Sequence, residues 1–376
     1  MIPKEIYAET LAGLFAPIRH HLADASVSEI LINGPGQVFI ERRGQLERSD
    51  VRFASPGAVL SALRNVAQYA GTYVDESRPI LEARLPDGSR LEAVLAPIVE
   101  GGPAVAIRRF SKATMTLDRL VALESLGQDA AEALAAMVIA KCNIVVAGGT
   151  GSGKTSLLNV LAACAPASER VLVLEDTREL EVVREHVVYM EARKPDERGA
   201  GAVSIRDLFR ASLRMRPDRI IVGEIRGAEA LDMLQAMVSG HGGCLGTLHA
   251  SHPRDTLTRL ETMCMMSDVN LPLTAIRMQI GSGIDVIVQV SRMADGGRKL
   301  THITEVVAFD ADNRRYELRD LFARRTLDDT LNPAEHPRSA LLPTGALPSF
   351  TDRLREHGQR LPASMLRAAD SASAGA

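Results

Sequence analysis

The chain contains no tryptophan, and five tyrosines and eight phenylalanines hold aromatics to 3% of its 376 residues. No basic stripe laced with aromatics runs through it, which counts against a surface built to stack single-stranded nucleic acid. Neither sign of charge dominates: the formal net charge is −3. Nothing therefore points to a protein that coats nucleic acid, and only local basic patches stay open. Long apolar runs are lacking too. The longest, Ala130 to Ala147, is broken by Glu132 and Lys141, so no transmembrane helix is expected. Met1 to Glu9 carries charges and a proline but no apolar core, so no secretory signal is expected. Cysteine is scarce. Cys142, Cys164, Cys244 and Cys264 show no CxxC spacing and read as free, buried thiols in a reducing cytoplasm. What is present, 46% hydrophobic and 24% charged residues, is the composition of an ordinary globular chain with room for two domains.

The most informative stretch is Gly148-Gly149-Thr150-Gly151-Ser152-Gly153-Lys154-Thr155. It follows the apolar run Asn143 to Ala147 and precedes a helical segment, Ser156 to Cys164. Strand, glycine-rich turn and helix start are the context a phosphate-binding loop requires. The glycines let successive backbone N–H groups converge on one anion-sized hollow, and the helix adds its positive dipole end. Lys154 is expected to reach the β- and γ-phosphates, and the Thr155 hydroxyl to take a Mg²⁺ position. A nucleoside triphosphate site is the consequence.

Before this loop, Met1 to about Leu22 has helical periodicity, with Ile6, Leu11, Leu14, Phe15, Ile18 and Leu22 on one side. Short strands follow at 28–32, 37–41 and 45–47, a helix from Ser55 to about Tyr69, then strands near 79–85, 90–98 and 104–110. Asp87-Gly88 marks a hairpin turn. Residues 1–110 are expected to form a smaller α+β N-terminal domain, and the aperiodic 111–118 a linker. From 119 to 320 strands at 171–175, 186–190, 219–223 and 244–248 alternate with helices at 204–215, 227–239 and 253–265. That alternation is the signature of an α/β domain with a parallel-sheet core. Residues 321–376 are expected to be a tail, partly helical and, in its last ten Ala/Ser-rich residues, disordered.

Three further constellations carry chemistry. Arg219-Ile220-Ile221-Val222-Gly223-Glu224 is an apolar strand ending in a carboxylate, as a Walker B element requires; it is expected beside the loop strand, delivering Glu224 to Mg²⁺ or its water shell. Val171-Leu172-Val173-Leu174-Glu175-Asp176-Thr177 ends in two carboxylates pointing to opposite sides of a strand; one could serve as base for water, or Asp176 could simply cap a helix. Gly240 to Ala250 brackets a glycine-rich turn and a short strand with His241 and His249. Without further ligands at metal spacing, a phosphate-sensing, subunit-contacting or plainly hydrogen-bonded histidine is preferred to a metal site. Arg84, Arg90, Arg108 and Arg109 lie on or beside N-domain strands, and Arg210, Arg214, Arg216 and Arg226 flank the Walker B strand; most are expected to be solvated or paired, with one or two free to act as arginine fingers.

These four boxes, GGTGSGKT at 148–155, LEDTREL at 174–180, RMRPDRIIVGEIRG at 214–227 and GHGGCLGTLHA at 240–250, together resemble the type II/type IV secretion ATPase superfamily. NGPGQVFIERRG, ARLPDGSR, HASHPRDTLTRLETM and LPSFTDRLREHGQRLPASML look like the tight-adherence (Flp-type) pilus ATPases. The resemblance implies a RecA-like P-loop ATPase domain behind the smaller N-terminal domain, a homo-hexamer, and ATP bound with Mg²⁺ between the two domains of each subunit. It implies a cytoplasmic enzyme held at the bacterial inner membrane by platform proteins of a pilus or secretion system, with no direct nucleic-acid partner. Carried over by position, Gly148, Gly149, Thr150, Gly151, Ser152, Gly153, Lys154, Thr155 and Ser156 bind the nucleotide, while Thr155 and Glu224 serve Mg²⁺. Glu175 polarises the attacking water, His249 lies near the γ-phosphate, and Arg108 neutralises its charge. A conjugative or type IV secretion ATPase, or a nucleic-acid motor of the same class, is the alternative. A small-molecule kinase or GTPase fits less well, because no NKxD element is present.

Overall fold

Pro17 divides the first helical stretch, because a proline ring cannot continue the hydrogen-bond ladder. Helix α1 (Lys4–Leu14) ends before it, a 3₁₀ turn spans Ala16–Ile18, and α2 (Arg19–Ala23) resumes. The computed structural model describes residues 4–42, 44–109, 115–195, 199–293, 296–326 and 339–374. The chain divides into two units, Met1–Thr114 and Met115–Ala376.

In the first unit, β1 (Val27–Asn33), β2 (Val38–Arg42), β3 (Gln45–Ser49), β4 (Ile80–Arg84), β5 (Arg90–Val94) and β6 (Ala104–Arg108) form one sheet in the order β3-β2-β1-β6-β5-β4. Every neighbouring pair is antiparallel. Helix α3 (Pro56–Tyr69) starts where Ser55 accepts the Ala58 N–H at 3.2 Å, and buries Val59, Leu63 and Val66.

The second unit begins earlier than its expected boundary. Thr116 caps α4 (Leu117–Ala122), accepting the Arg119 N–H at 3.1 Å, and Met115 and Leu117 already pack on the core. The linker therefore stops short of residue 117, and its residues 111–114 lie outside the described ones. The remaining helices are α5 (Gln128–Ile139), α6 (Lys154–Ala163), α7 (Ile205–Ser212), α8 (Glu229–Val238), α9 (Pro253–Met265), α10 (Leu273–Gly283), α11 (Thr351–Glu356) and α12 (Ala363–Ala374). The strands are β7 (Ile144–Gly148), β8 (Val171–Glu175), β9 (Val187–Glu191), β10 (Arg219–Val222), β11 (Leu245–Leu248), β12 (Val286–Arg292), β13 (Arg298–Asp310), β14 (Arg315–Thr326) and β15 (Ser339–Pro343).

They form one nine-stranded sheet, β15-β14-β13-β12-β7-β11-β10-β8-β9. The six from β12 to β9 are parallel, and β13, β14 and β15 extend the sheet antiparallel. Strands β7, β8, β10 and β11 are buried throughout, as a parallel sheet covered on both faces demands. The Walker B strand β10 is not beside β7, as the sequence led us to expect. Strand β11 lies between them, knitted to the end of β10 by Thr247, whose Oγ1 donates to Gly223 O at 2.6 Å and whose carbonyl accepts the Ile225 N–H at 2.8 Å.

Residues 321–376 are not a separate tail. Strand β14 runs through 326, β15 joins it, and α12 reaches Ala374, where the sequence suggested disorder. Leu341, Leu354 and Met365 are buried, and that burial is what orders the segment. Glu305, almost wholly buried, accepts the Ser349 N–H at 2.8 Å, and Arg353 binds Asp285 at 2.6 Å. Residues 327–338 lie outside the described ones. Because Met365 is buried, Met365→Ala is expected to lower the unfolding free energy by about 2–5 kcal/mol in a denaturant titration. A midpoint unchanged from wild type would return the segment to a loose tail.

Candidate nucleotide site

Strand β7 ends in the loop 149–153, and α6 starts at Lys154. Gly153, immediately before the helix, sits at φ +95°, a left-handed conformation that side chains resist. Ser152 is buried and donates to Gly149 O at 2.9 Å. Lys154 is buried as well; its Nζ donates to Gly149 O at 2.9 Å and lies 3.3 Å from His249 Nδ1. Gly149, Thr150 and Ser156 are exposed around it.

His249 follows β11, and its Nε2 lies 3.1 Å from Glu224 Oε1. Burial pushes the His249 pKa down, and the Lys154 charge adds to this against the pull of Glu224. A neutral imidazole results, and one tautomer satisfies both neighbours: Nδ1 accepts from the ammonium while Nε2–H donates to the carboxylate. Glu224 Oε2 accepts from Arg226 at 2.7 Å. Burial works to raise the Glu224 pKa, but the Arg226 hydrogen bond and the charges of Arg226 and Lys154 outweigh it and hold the carboxylate below its ordinary range. Arg226 also lies 3.7 Å from Asp176, which is exposed.

Glu175 and Asp176 do point apart, and Glu175 is the buried one, 4% exposed. Its Oε1 accepts the N–H groups of Glu179 and Leu180 at 2.9 and 3.0 Å. A Cβ on Gly223 would come within 2.7 Å of Glu175 Cγ, so the Walker B glycine is what leaves room for this side chain. Burial pushes the Glu175 pKa up to about 7, against the two backbone hydrogen bonds. The carboxylate that reaches the loop is Glu179: Thr155 Oγ1 donates to its Oε2 at 3.4 Å. The motif reading assigned Glu179 no role, although its place four residues after Glu175 in LEDTREL was the available signal. A hydroxyl and a carboxylate are hard oxygen donors suited to Mg²⁺, so Thr155 and Glu179, 3.4 Å apart, fit that ion. Among the described residues no group of three or more His, Cys, Asp or Glu is arranged to hold a metal.

Arg108 and Arg109 belong to the first unit. Arg109 Nη1 donates to the carbonyls of Asp24 and Val27, the latter at 2.9 Å, whereas Arg108 is exposed on β6.

A raised carboxyl pKa makes stability depend on pH. Glu175 folded holds its proton to about pH 7 against 4.5 as the ordinary value, so the native state binds more protons between them and stability falls as pH rises through that window. Between pH 5 and 8 wild type is expected to lose roughly 2 kcal/mol relative to Glu175→Gln, read from denaturant midpoints. Parallel pH profiles for the two proteins would refute the buried, proton-holding carboxyl.

The family model described as "Type II/IV secretion system protein" matches residues 13–369. The conjugal transfer protein TrbB of Rhizobium radiobacter is 35% identical over 281 residues, covering 74% of this chain and 83% of that protein. The type IV secretion system protein PtlH of Bordetella pertussis is 35% identical over 307 residues, covering 74% and 89%. Among solved structures, the ATPase DotB of Legionella pneumophila superposes with a TM-score of 0.53 at 21% identity, over 79% of this chain and 81% of that one, a likeness of fold. With the four motifs gathered at one end of its parallel sheet and a family model spanning nearly its whole length, the chain belongs to the type II/IV secretion system ATPases.

Proposed function

We propose that this chain hydrolyses ATP with Mg²⁺ and works as a ring of six, driving a secretion or pilus machine through platform proteins at the inner membrane. One observation carries the reading: an unbroken path runs from the phosphate loop through Lys154 to His249, Glu224 and Arg226. It connects the residue type that binds phosphate to an ionised carboxylate that can orient water. The names of TrbB and PtlH, a conjugal transfer and a type IV secretion protein, favour a secretion-system motor.

The roles follow from the partners. Lys154 exchanges the Gly149 carbonyl for a phosphate oxygen, a stronger acceptor. Thr155 and Glu179 would hold Mg²⁺, which would supply neutralising charge to the phosphates when bound. Glu224, kept ionised by Arg226 and His249, orients the attacking water. His249 lies between Lys154 and Glu224, so a change at the phosphate is felt at the water-binding carboxylate. This division replaces the expectation that Glu175 polarises water and Glu224 serves Mg²⁺. Glu175 is enclosed, and its oxygen is committed to the backbone of the turn that presents Glu179.

Phosphate release separates the two divisions. Glu224→Gln is expected to lower kcat by about 10²-fold or more with nucleotide binding retained. Glu175→Gln, whose amide oxygen can still accept the two N–H groups, is expected to stay within about fivefold of wild type. Lys154→Ala is expected to lose tight ATP binding. A Glu175→Gln protein that binds ATP and is dead, beside an active Glu224→Gln, would restore the first assignment. A fully active monomer in light scattering would end the ring.

A further inference from the structure

Strands β12 and β13 form a hairpin whose last paired residues are Arg292 and Arg298, directly opposite each other. Register decides where the pair lies. Strand β12 runs parallel to β7 with Val290 beside Gly148, so Arg292 comes two residues after the point where the phosphate loop begins.

Arg298 reaches the loop itself. Its Nε donates to Gly151 O at 3.0 Å, and its Cδ lies 3.2 Å from where a Cβ on Gly153 would stand. Arg292 Nη1 is 3.9 Å from the corresponding position on Gly151. Two guanidinium-bearing side chains thus meet the glycines of one anion-binding turn, and both are exposed. With Nε committed to a carbonyl, Arg298 keeps its two Nη groups as a fork of donors, the geometry that suits phosphate. A lysine carries only one ammonium and offers no such fork.

We propose that Arg298, with Arg292 opposite it, is a cationic clip that binds the phosphate chain of the nucleotide and, through the Gly151 carbonyl, ties the shape of the loop to the β12–β13 hairpin. The inference rests on the nucleotide-site reading above. It adds a second source of positive charge to Lys154, drawn from the far side of the sequence and from within the same unit.

The test is calorimetric titration of the full chain with ATPγS and with inorganic tripolyphosphate, in magnesium buffer at two salt concentrations. Wild type, Lys154→Ala, Arg298→Met, Arg298→Lys and Arg292→Met are compared after circular dichroism has shown each to be folded. Methionine keeps an apolar stem against Gly153, so lost packing is not what the titration reads. Arg298→Met is expected to weaken both ligands by the same factor, about tenfold or more, and to flatten the salt dependence of binding. Arg298→Lys is expected to recover part of the affinity and most of the salt dependence, and it carries the test if the methionine variant does not fold. Wild-type affinity for tripolyphosphate in both Arg298 variants would overturn the clip. So would a loss confined to ATPγS, which would put the guanidinium on the base. If wild type binds neither ligand, the nucleotide reading falls and the clip with it; if wild type binds, Lys154→Ala does not, and Arg298→Met is unchanged, only the clip falls.

Discussion

Everything at the site depends on where parallel strands stop relative to one another. Ala147 of β7 pairs with Leu248 of β11 on one side and with Gln289 of β12 on the other. Val222 of β10 pairs with Gly246 of β11 and with Leu174 of β8. Gly149, His249, Gly223, Glu224 and Glu175 therefore all emerge at one edge, the carboxyl ends of the strands, where ligands bind in open α/β sheets. A slip of one residue in any ladder would turn its side chains to the other face. The distances from Lys154 to His249 and from His249 to Glu224 are consequences of register before they are consequences of side-chain choice.

On that edge the two principal carboxylates have opposite electrostatic fates. Glu175 is enclosed, and burial pushes its pKa up to about 7; Glu224 meets Arg226, His249 and Lys154, and stays below its ordinary range despite partial burial. Environments that push a pair apart are the usual basis for an acid/base division, and the proposed roles rest on it. The group that stays charged next to the lysine can act on water and metal-bound phosphate. The group that holds its proton is better suited to bracing the chain behind Glu179. The buried Lys154 ammonium is tolerated for a related reason, since a carbonyl and a neutral imidazole accept from it.

The phosphate loop, the strand–helix alternation and the parallel core were legible because each has a strong local signal: GxxxxGKT in context, apolar runs of strand length, and proline or serine at helix starts. What escaped depends on contacts distant in sequence. The order of β7, β11 and β10 places Thr247 against Gly223, a contact between segments distant in sequence that no periodicity reveals. Helix α10 carries two glycines near its end, Gly281 and Gly283, which weaken its pattern. The C-terminal segment is ordered by Met365 and Leu354 finding a core built by residues 130–161, and by Arg353 finding Asp285. In the site, Lys154, Thr155, Glu224 and His249 were named from motifs and the structure brings them together. Glu175 was named too, but whether a strand-end carboxylate faces nucleotide or core is settled by the turn after it. Glu179 and Arg298 were missed because their partners, Thr155 and Gly151, lie 24 and 147 residues away.

The opposite edge of the sheet explains how that register is held. Arg219, at the start of β10, is the largest fully buried side chain among the described residues. Its Nε and Nη2 bind Glu169 at 2.9 Å, Nη1 donates to Gly243 O at 3.1 Å, and Nη2 also donates to Val138 O at 3.0 Å. Asn143, before β7, adds a parallel set: it accepts the Cys244 N–H at 3.0 Å and donates to Gly283 O at 2.7 Å. These groups tie the starts of β7, β10 and β11 to the ends of α5 and α10. A buried ion pair is weak evidence of net stability, because desolvation offsets most of the attraction. Its effect on alternatives is larger. Any register other than the observed one would leave a desolvated guanidinium without its carbonyls, at a cost of several kcal/mol. The penalty falls on misaligned strands alone, so a charge that contributes little to the native fold still selects the one alignment in which the strands' far ends, four residues on, bring carboxylate, histidine and lysine into contact.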